Sequence, residues 1–183
     1  MAFRLNKTVV MVGMMGAGKT AIGQALARRL DVPFLDSDAA IVEAANASIA
    51  EIFDRDGEAF FRAKETQVIA RLLGGPPGVL STGGGAFLSA ENRQMISKMG
   101  ISLWLKADLE LLWTRVRHKD TRPLLRTTDP RATLAEIFRV RTPLYAQADI
   151  AVEAKAGLSI SEMTDRVIAA LRARPDVLAL EEI

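Results

Sequence analysis

The chain has 183 residues, of which 49% are hydrophobic and 25% charged, a composition that allows one domain with a substantial core and argues against disorder. Its formal net charge of +2 comes from Lys and Arg spread along the chain, without the dense basic blocks typical of nucleic-acid binding, so we expect anionic small molecules as partners. The absence of cysteine excludes disulfides and thiolate metal sites. Because no apolar run reaches the roughly 18 residues of a membrane helix, we expect a soluble, cytoplasmic protein with no membrane partner. No extended apolar stripe is left over for an interface, so we expect a monomer.

Short β-type runs alternate along the chain with longer segments of helical periodicity, which is typical of βαβ units around a parallel sheet. The predicted strands are Val9–Val12, Pro33–Leu35, Val79–Ser81, Ile101–Leu105 and Ile150–Val152. The predicted helices are Ala21–Leu30, Asp38–Ala45, Ile49–Phe53, Glu58–Leu73, Ala90–Met99, Leu109–Val116, Ala132–Gln147 and Ile160–Arg172. We therefore expect one doubly wound α/β domain over residues 1–183, with a loosely held tail after Arg172.

The first predicted strand is followed by Gly-Met-Met-Gly-Ala-Gly-Lys-Thr at residues 13–20, which fits the G-x-x-x-x-G-K-[ST] phosphate-binding loop. Glycines in such a loop let backbone N–H groups close around phosphate oxygens, and the next helix adds partial positive charge at its N-terminus. Lys19 is expected to reach the β and γ phosphates and Thr20 to place its hydroxyl on Mg²⁺. The loop predicts binding of a nucleoside triphosphate but leaves the phosphoryl acceptor open, because switches, transport ATPases and small-molecule kinases share it.

Two carboxylates, Asp36 and Asp38, follow the second predicted strand. Ligands of open α/β sheets bind beyond the carboxyl ends of the strands, and residues two apart in a strand project to the same side. One carboxylate could hold Mg²⁺, directly or through water, while the other accepts a hydrogen bond from an acceptor hydroxyl. The alternatives are that Asp38 caps the next helix, or that both are surface turn residues.

The third predicted strand is followed by Thr82-Gly83-Gly84-Gly85, whose three glycines leave bare backbone that a ligand can approach closely. The alternatives are a flexible turn and the signature loop of transport ATPases, although that loop's terminal glutamine is missing here. The chain also lacks the Asn-Lys-x-Asp motif of GTPases, and Asp108 is explained more simply as a helix N-cap than as a second nucleotide motif.

Basic residues occur in two further contexts. The segment from Arg115 to Leu125 runs from a helix end into a proline turn and suits either a lid that closes over nucleotide or a solvated charged loop. Arg62 and Arg141 lie in helical patterns, and an ordinary pair with Glu58, four residues earlier, would explain Arg62 fully.

Together these motifs resemble shikimate kinase. Many families share the phosphate loop, but the other five motifs at these spacings are specific to this family, and the resemblance covers about residues 8–172. Those motifs are Phe34-Leu35-Asp36-Ser37-Asp38, Gly57-Glu58-x-x-Phe61-Arg62, Thr82-Gly83-Gly84-Gly85, Arg122-Pro123-Leu124-Leu125 and Arg141-x-Pro143-Leu144-Tyr145.

The resemblance implies a three-layer P-loop kinase fold with a five-stranded parallel sheet of order 2-3-1-4-5. It also implies a substrate-binding region near residues 38–66 and a lid near residues 117–129. The implied reaction is transfer of the ATP γ-phosphoryl group to the 3-hydroxyl of shikimate, a step of aromatic amino-acid biosynthesis. Two alternatives stay open: a kinase for another small polyol acid such as gluconate, and a nucleotide-dependent switch without transfer activity.

By matching position, the resemblance also implies roles for single residues. Asp38 would bind acceptor hydroxyls and act as base or orienting group, while Arg62 and Arg141 would hold the shikimate carboxylate. The glycines Gly83, Gly84 and Gly85 would form the wall of that subsite. Thr20 and, through water, Asp36 would position Mg²⁺. Lys19 and Arg122 would stabilise charge on the transferred phosphoryl group. The implied nucleotide contacts are Gly13, Gly16, Ala17, Gly18, Lys19, Thr20, Ala21, Arg115 and Arg122, with Arg115 against adenine and the loop at residues 154–158, including Lys155, left open.

Overall fold

A computed structural model describes residues 2–118 and 123–182 of the chain. Its strands are β1 (Phe3–Leu5), β2 (Thr8–Val12), β3 (Phe34–Asp36), β4 (Val79–Ser81), β5 (Gly100–Lys106), β6 (Ile150–Glu153) and β7 (Leu178–Leu180). Strands β2 to β6 form one parallel sheet in the order β3-β4-β2-β5-β6. Counted among these five strands alone, the order is 2-3-1-4-5, so the predicted topology is confirmed.

All of the predicted helices are present. They are α1 (Lys19–Leu30), α2 (Ser37–Ala45), α3 (Ile49–Asp56), α4 (Glu58–Leu73), α5 (Ala90–Met99), α6 (Leu109–Val116), α7 (Pro130–Tyr145) and α8 (Ile160–Arg172). Helix α7 begins two residues before its predicted start because Asp129 accepts a hydrogen bond from the Ala132 N–H and Pro130 occupies the first turn. Asp108 likewise caps α6 by accepting from the Leu111 N–H at 2.8 Å, which confirms its interpretation as an N-cap.

The central strand β2 explains where the phosphate loop lies. All five of its residues are buried, as expected for an apolar strand flanked by β4 and β5 in a parallel sheet. Side chains of α1, α5 and α8 pack with the sheet into the main core, which includes Leu26, Ile96 and Val167. The loop after β2 therefore emerges at the middle of the sheet's carboxyl edge, beside the end of β4.

A second, smaller core lies among α2, α3 and α4. It consists of the buried residues Ile41, Ala47, Ile52, Phe61 and Val68. Because it packs α2 against α4, it holds Asp38 and Arg62, which lie on those two helices, in a defined relation to each other.

The two ends of the chain pair with each other. Strand β1 is antiparallel to β7, with Leu5 opposite Leu178, and Val177 is fully buried. The prediction of a loosely held tail after Arg172 was therefore wrong. Each strand has only three residues, too few for a period-2 pattern to be recognised, and the pairing joins segments more than 170 positions apart in the chain.

The predicted lid, near residues 117–129, lies partly outside the described residues, and so does Arg122. On its described side, Pro123–Leu125 form one turn of 3₁₀ helix. Over residues 2–118 and 123–182, none of the helices combines the length and apolar character needed to span a bilayer.

Candidate active site

The loop between β2 and α1 has the geometry of a phosphate cradle. Gly16 and Gly18 adopt φ angles of 82° and 100°, which side-chain-bearing residues rarely take. Gly18 is also the N-cap of α1 and supplies no side-chain acceptor, so the first N–H groups of this helix point toward the loop without a capping oxygen. Such a helix start attracts anions.

Lys19 begins α1 and folds back over the loop. Its Nζ donates to the carbonyl oxygens of Gly13 at 2.6 Å and Met14 at 3.1 Å. The ammonium group is thus held at the loop by backbone acceptors, in a position where phosphate oxygens can join them.

A cavity of about 640 Å³ opens over this loop. It brings together residues from the phosphate loop, from α2, from the segment after β4 and from α6, as the positions of the motifs at the carboxyl edge predict. Among the predicted site residues, its lining includes Gly16, Gly18, Lys19, Thr20, Ala21, Asp38, Gly83, Gly84 and Arg115. Gly13 and Ala17 are buried within the loop itself.

Asp38 is a half-buried carboxylate that lines this cavity. Within the described residues, its Oδ1 atom is buried and has no hydrogen-bond partner. Burial raises the pKa of Asp38, and so does the nearby Asp36 carboxylate, while Lys19 and Arg62 act in the opposite direction. A buried acceptor without a donor is costly, and such groups often mark functional sites.

Asp36, and not Asp38, is the cap of α2. The Asp36 Oδ1 atom accepts from the Ala39 N–H at 3.0 Å, which is the N-cap arrangement. The alternative that Asp38 serves as this cap was therefore wrong. Because the cap bond uses Oδ1 of Asp36, the carboxylate keeps its second oxygen for another donor or a bound water.

The three glycines after β4 each lie against one predicted substrate residue. A Cβ placed on Gly83 would lie 2.9 Å from Oδ1 of Asp38, and one on Gly84 would lie 3.0 Å from Nη1 of Arg141. A Cβ on Gly85 would lie 2.6 Å from Nη1 of Arg62. The glycine wall, residues 83–85, is therefore the surface on which a carboxylate and two guanidinium groups converge.

Arg62 is held by a carboxylate that sequence reasoning missed. Its Nη1 donates to Oε1 of Glu65 at 2.8 Å, whereas the predicted partner Glu58 is 3.7 Å from Nε. The Glu65 side chain is only 1% exposed, and burial raises its pKa while the Arg62 hydrogen bond opposes that rise. The surface-pair explanation of Arg62 was thus incomplete: the arginine also compensates a buried charge, which fixes its direction. A Glu three residues after Arg on a helix was the available signal.

Arg141 lies on α7, four residues before Tyr145. The Tyr145 hydroxyl donates to the Gly84 carbonyl at 2.6 Å, and a Cβ on Gly84 would lie 3.0 Å from Nη1 of Arg141 and 4.0 Å from the same hydroxyl, so all three groups are neighbours. Burial raises the pKa of Tyr145, and Arg141 opposes this rise. The motif that contains both residues predicted a site, but it did not indicate that the tyrosine is part of it.

Arg115 closes one side of the cavity. Its Nη1 donates to the carbonyl oxygens of Gly16 and Ala17, both at 3.1 Å, so α6 is tied to the phosphate loop. Beyond it the cavity has an apolar end formed by Leu158, Ile160 and Met163; Leu158 belongs to the loop at residues 154–158 left open from the sequence, whereas Ile160 and Met163 on α8 were not expected. Lys155, from the same loop, lines a separate cavity beside Trp104.

Oxygen donors suited to Mg²⁺ lie beside the phosphate loop. Thr20 is exposed and lines the cavity, and the Asp36 and Asp38 carboxylates lie on the adjoining β3–α2 turn. Among residues 2–118 and 123–182 there is no cluster of three or more His, Cys, Asp and Glu side chains that could enclose a metal by itself. The donors fit an ion that takes one or two protein oxygens and completes its shell with phosphates and water, as Mg²⁺ does in kinases.

Comparison with known proteins agrees with this geometry. The shikimate kinase family model matches residues 15–172. A shikimate kinase of Ruegeria pomeroyi is 69% identical over 179 residues, which cover 98% of this chain and 92% of that protein. A shikimate kinase of Cereibacter sphaeroides is 65% identical over 179 residues, covering 98% and 89%.

A solved structure, the shikimate kinase from Acinetobacter baumannii in complex with shikimate, has a TM-score of 0.84 at 35% identity and covers 91% of this chain and 93% of that one. These matches extend over most of the chain, and the fold and the site residues agree with them. The chain belongs to the shikimate kinase family.

Proposed function

We propose that this kinase transfers the γ-phosphoryl group of ATP to the 3-hydroxyl of shikimate, giving shikimate 3-phosphate and ADP. One observation carries the proposal: the Asp38 carboxylate shares a single cavity with Lys19 and Thr20 and touches the glycine wall on which Arg62 and Arg141 converge. A phosphate site and a site for an anionic polyol are thereby contiguous. Phosphoryl transfer depends mainly on such alignment and on charge stabilisation.

At the nucleotide end, the backbone N–H groups of residues 13–20 and the start of α1 would surround the phosphates. Lys19 would move its hydrogen bonds from the Gly13 and Met14 carbonyls to phosphate oxygens, where it stabilises developing charge. Mg²⁺, when bound, neutralises charge on the phosphates, and Thr20 and water-linked Asp36 are the residues proposed to hold it. Arg122, outside the described residues, is the second proposed cation.

The base of the nucleotide would occupy the apolar end of the cavity. Leu158, Ile160 and Met163 supply an apolar surface, and the Arg115 guanidinium, fixed by two carbonyl oxygens, supplies a planar cation above it. This arrangement needs no charged side chain from the loop at residues 154–158.

At the acceptor end, Arg62 and Arg141 would bind the shikimate carboxylate, because two fixed guanidinium groups match one small anion. Glu65 holds Arg62 through a hydrogen bond, and Tyr145 lies beside Arg141 at Gly84. The glycine wall leaves room for the flat ring of the acceptor between them.

Asp38 would accept the hydrogen bond of the reacting hydroxyl. Its Oδ1 lacks a partner in the described residues, and burial raises its pKa, so it is a stronger proton acceptor than a solvated aspartate. The carboxylate can therefore orient the hydroxyl and take its proton as the new P–O bond forms and the bond to ADP breaks.

The same residues weigh against the two alternatives. A nucleotide-dependent switch has no need for an unsatisfied carboxylate in its phosphate cavity, and a gluconate kinase would have to place a longer, flexible acceptor on a wall made for a compact one. We also propose that the enzyme acts in the cytoplasm as a monomer without nucleic-acid partners, in line with its evenly spread charge.

The test is a coupled assay of ADP release with Mg²⁺-ATP, run with shikimate, with gluconate and without acceptor. We expect ADP release only with shikimate, and we expect Lys19→Ala to remove it. Release with gluconate alone, or release independent of any acceptor, would refute the proposal. No ADP release under any of these conditions would favour the nucleotide-dependent switch.

A further inference from the structure

Tyr145 lies behind the acceptor site and is not part of its lining. It is the last residue of α7 and is 1% exposed. Its ring stacks with the rings of Phe87 and Trp104, with centroid separations of 6.5 and 6.3 Å. Because the ring is buried and packed against two other aromatic rings, the hydroxyl has one well-defined direction.

That hydroxyl joins two groups that face the acceptor. It donates to the carbonyl oxygen of Gly84 at 2.6 Å, and the Arg141 guanidinium, one helical turn earlier on α7, lies close enough for its charge to oppose the rise in the pKa of the phenol. Nη1 of Arg141 in turn lies 3.0 Å from where a Cβ on Gly84 would stand. The phenol, the Gly84 peptide and the guanidinium therefore lie next to one another.

The contacts of the phenol with Gly84 and with Arg141 have different consequences. The bond to the Gly84 carbonyl fixes the orientation of the peptide in the middle of the glycine wall, where three consecutive glycines would otherwise leave the backbone free to rotate. The phenol beside Arg141 limits where the planar guanidinium can lie, so that its N–H donors stay at the wall. The phenol itself stays protonated near neutral pH, since burial raises its pKa, so it holds both partners and takes no part in proton transfer.

We propose that Tyr145 is a positioning residue for the acceptor carboxylate, acting through Arg141 and the Gly84 peptide. This inference rests on the proposed function, since it concerns the same acceptor. It makes Tyr145 a determinant of acceptor affinity and not of nucleotide binding or of the chemical step.

The test compares Tyr145→Phe with Thr142→Val, both measured by ADP release. The Thr142 hydroxyl donates to the Phe138 carbonyl within α7, so its loss is a matched hydroxyl deletion on the same helix without a contact to the glycine wall. We expect Tyr145→Phe to raise KM for shikimate about tenfold, the effect of one lost buried hydrogen bond, with kcat and KM for ATP within about twofold of wild type. Thr142→Val is expected to leave all three constants unchanged.

A second measurement applies even where Tyr145→Phe folds poorly. Tyr145 is the single tyrosine of the chain, so 3-fluorotyrosine labelling of the otherwise unaltered enzyme gives one ¹⁹F resonance. We expect shikimate to shift this resonance and a non-hydrolysable ATP analogue to leave it in place.

The outcomes separate this inference from the function on which it rests. Two results would overturn the role of Tyr145 alone. One is an active wild type whose ¹⁹F resonance does not shift with shikimate; the other is an equal rise of KM for shikimate in Tyr145→Phe and Thr142→Val. A wild type without shikimate-dependent ADP release would overturn the proposed function and this inference together.

Discussion

Gly83 lies directly against the carboxylate of Asp38, so that a Cβ on the glycine would stand 2.9 Å from Oδ1 and 3.0 Å from Oδ2. Real Cβ atoms essentially never approach oxygen or carbon atoms more closely than about 3 Å. The glycine is therefore required by the neighbouring functional group. A strand-end glycine and a residue at the start of a helix 45 positions earlier form one structural unit.

This contact predicts the effect of Gly83→Ala. The added methyl group has to displace the Asp38 carboxylate, so we expect turnover to fall at least about tenfold, since a small misplacement of a reacting group is costly. Steady-state kinetics would measure the loss of turnover, and thermal unfolding would measure any separate loss of stability. Gly75→Ala is the matched control, because a Cβ there meets only the Leu72 carbonyl at 3.5 Å; equal kinetic losses in both variants would refute the assignment.

Asp38→Asn is expected to trade activity for stability. Turnover should fall by at least about a hundredfold, the range for loss of an acid–base group, with ATP binding nearly intact. Burial raises the folded-state pKa of Asp38 above its usual value of 3.8, so its ionisation costs stability: the cost is absent below 3.8, grows as the pH rises and is complete above the raised pKa. We therefore expect the variant to have a higher Tm than wild type at pH 8, with the gain vanishing near pH 3.5. Full turnover in the variant would show that Asp38 is not the hydroxyl partner.

Arg62→Ala is expected to affect both substrate binding and folding. Loss of a charge-assisted contact should raise KM for shikimate roughly 10- to 100-fold with little change for ATP. The same change leaves the buried Glu65 without its partner, which should lower the free energy of unfolding by about 1–3 kcal/mol.

The double variant Arg62→Ala/Glu65→Gln separates these two effects. It should recover much of the stability, because the buried group is then neutral, but it should keep the raised KM. Chemical denaturation and kinetics on the same preparations provide both values. Recovery of KM in the double variant would contradict a direct role for Arg62 in acceptor binding.

The pairing of the chain ends predicts a specific acid sensitivity. Asp176, just before β7, accepts from Arg174 Nε and Nη2, both at 3.0 Å, and from Lys7 at 3.3 Å. The Arg174 hydrogen bonds are the main cause that lowers the pKa of Asp176 to about 2. Because the folded pKa is lowered, the contribution is complete above 3.8 and is lost as the pH falls toward 2.

We therefore expect Asp176→Asn to lower Tm slightly at pH 7 and to have a much smaller effect at pH 2. The effect should be small and should diminish in 0.5 M salt, because these side chains are about 45% exposed. Thermal melts at the two pH values and two ionic strengths test this. A loss of equal size at pH 2 would show that Asp176 acts through packing and not through its charge.

Much of this protein could be predicted from local sequence. Helices such as α4, α5, α6 and α8 have the predicted bounds, because their apolar periodicity and their caps lie within the segments themselves. The phosphate loop was equally recognisable, since its function resides in eight consecutive residues. The strand β7 was missed because a three-residue strand has almost no pattern of its own, and its stability comes from β1 at the other end of the chain.

The sequence by itself determined the elements, the phosphate loop and the residue types available for chemistry. Only the tertiary structure decided which of them meet: that Asp38 shares a cavity with Lys19, that Gly83 lies against Asp38, and that Tyr145 reaches Gly84. The physical reason is the separation of the contacting residues along the chain. Periodicity and capping act over three or four residues, whereas the contacts across the glycine wall join residues 23 to 61 positions apart. These become neighbours only when the order of the strands and the packing of α2, α4 and α7 are set.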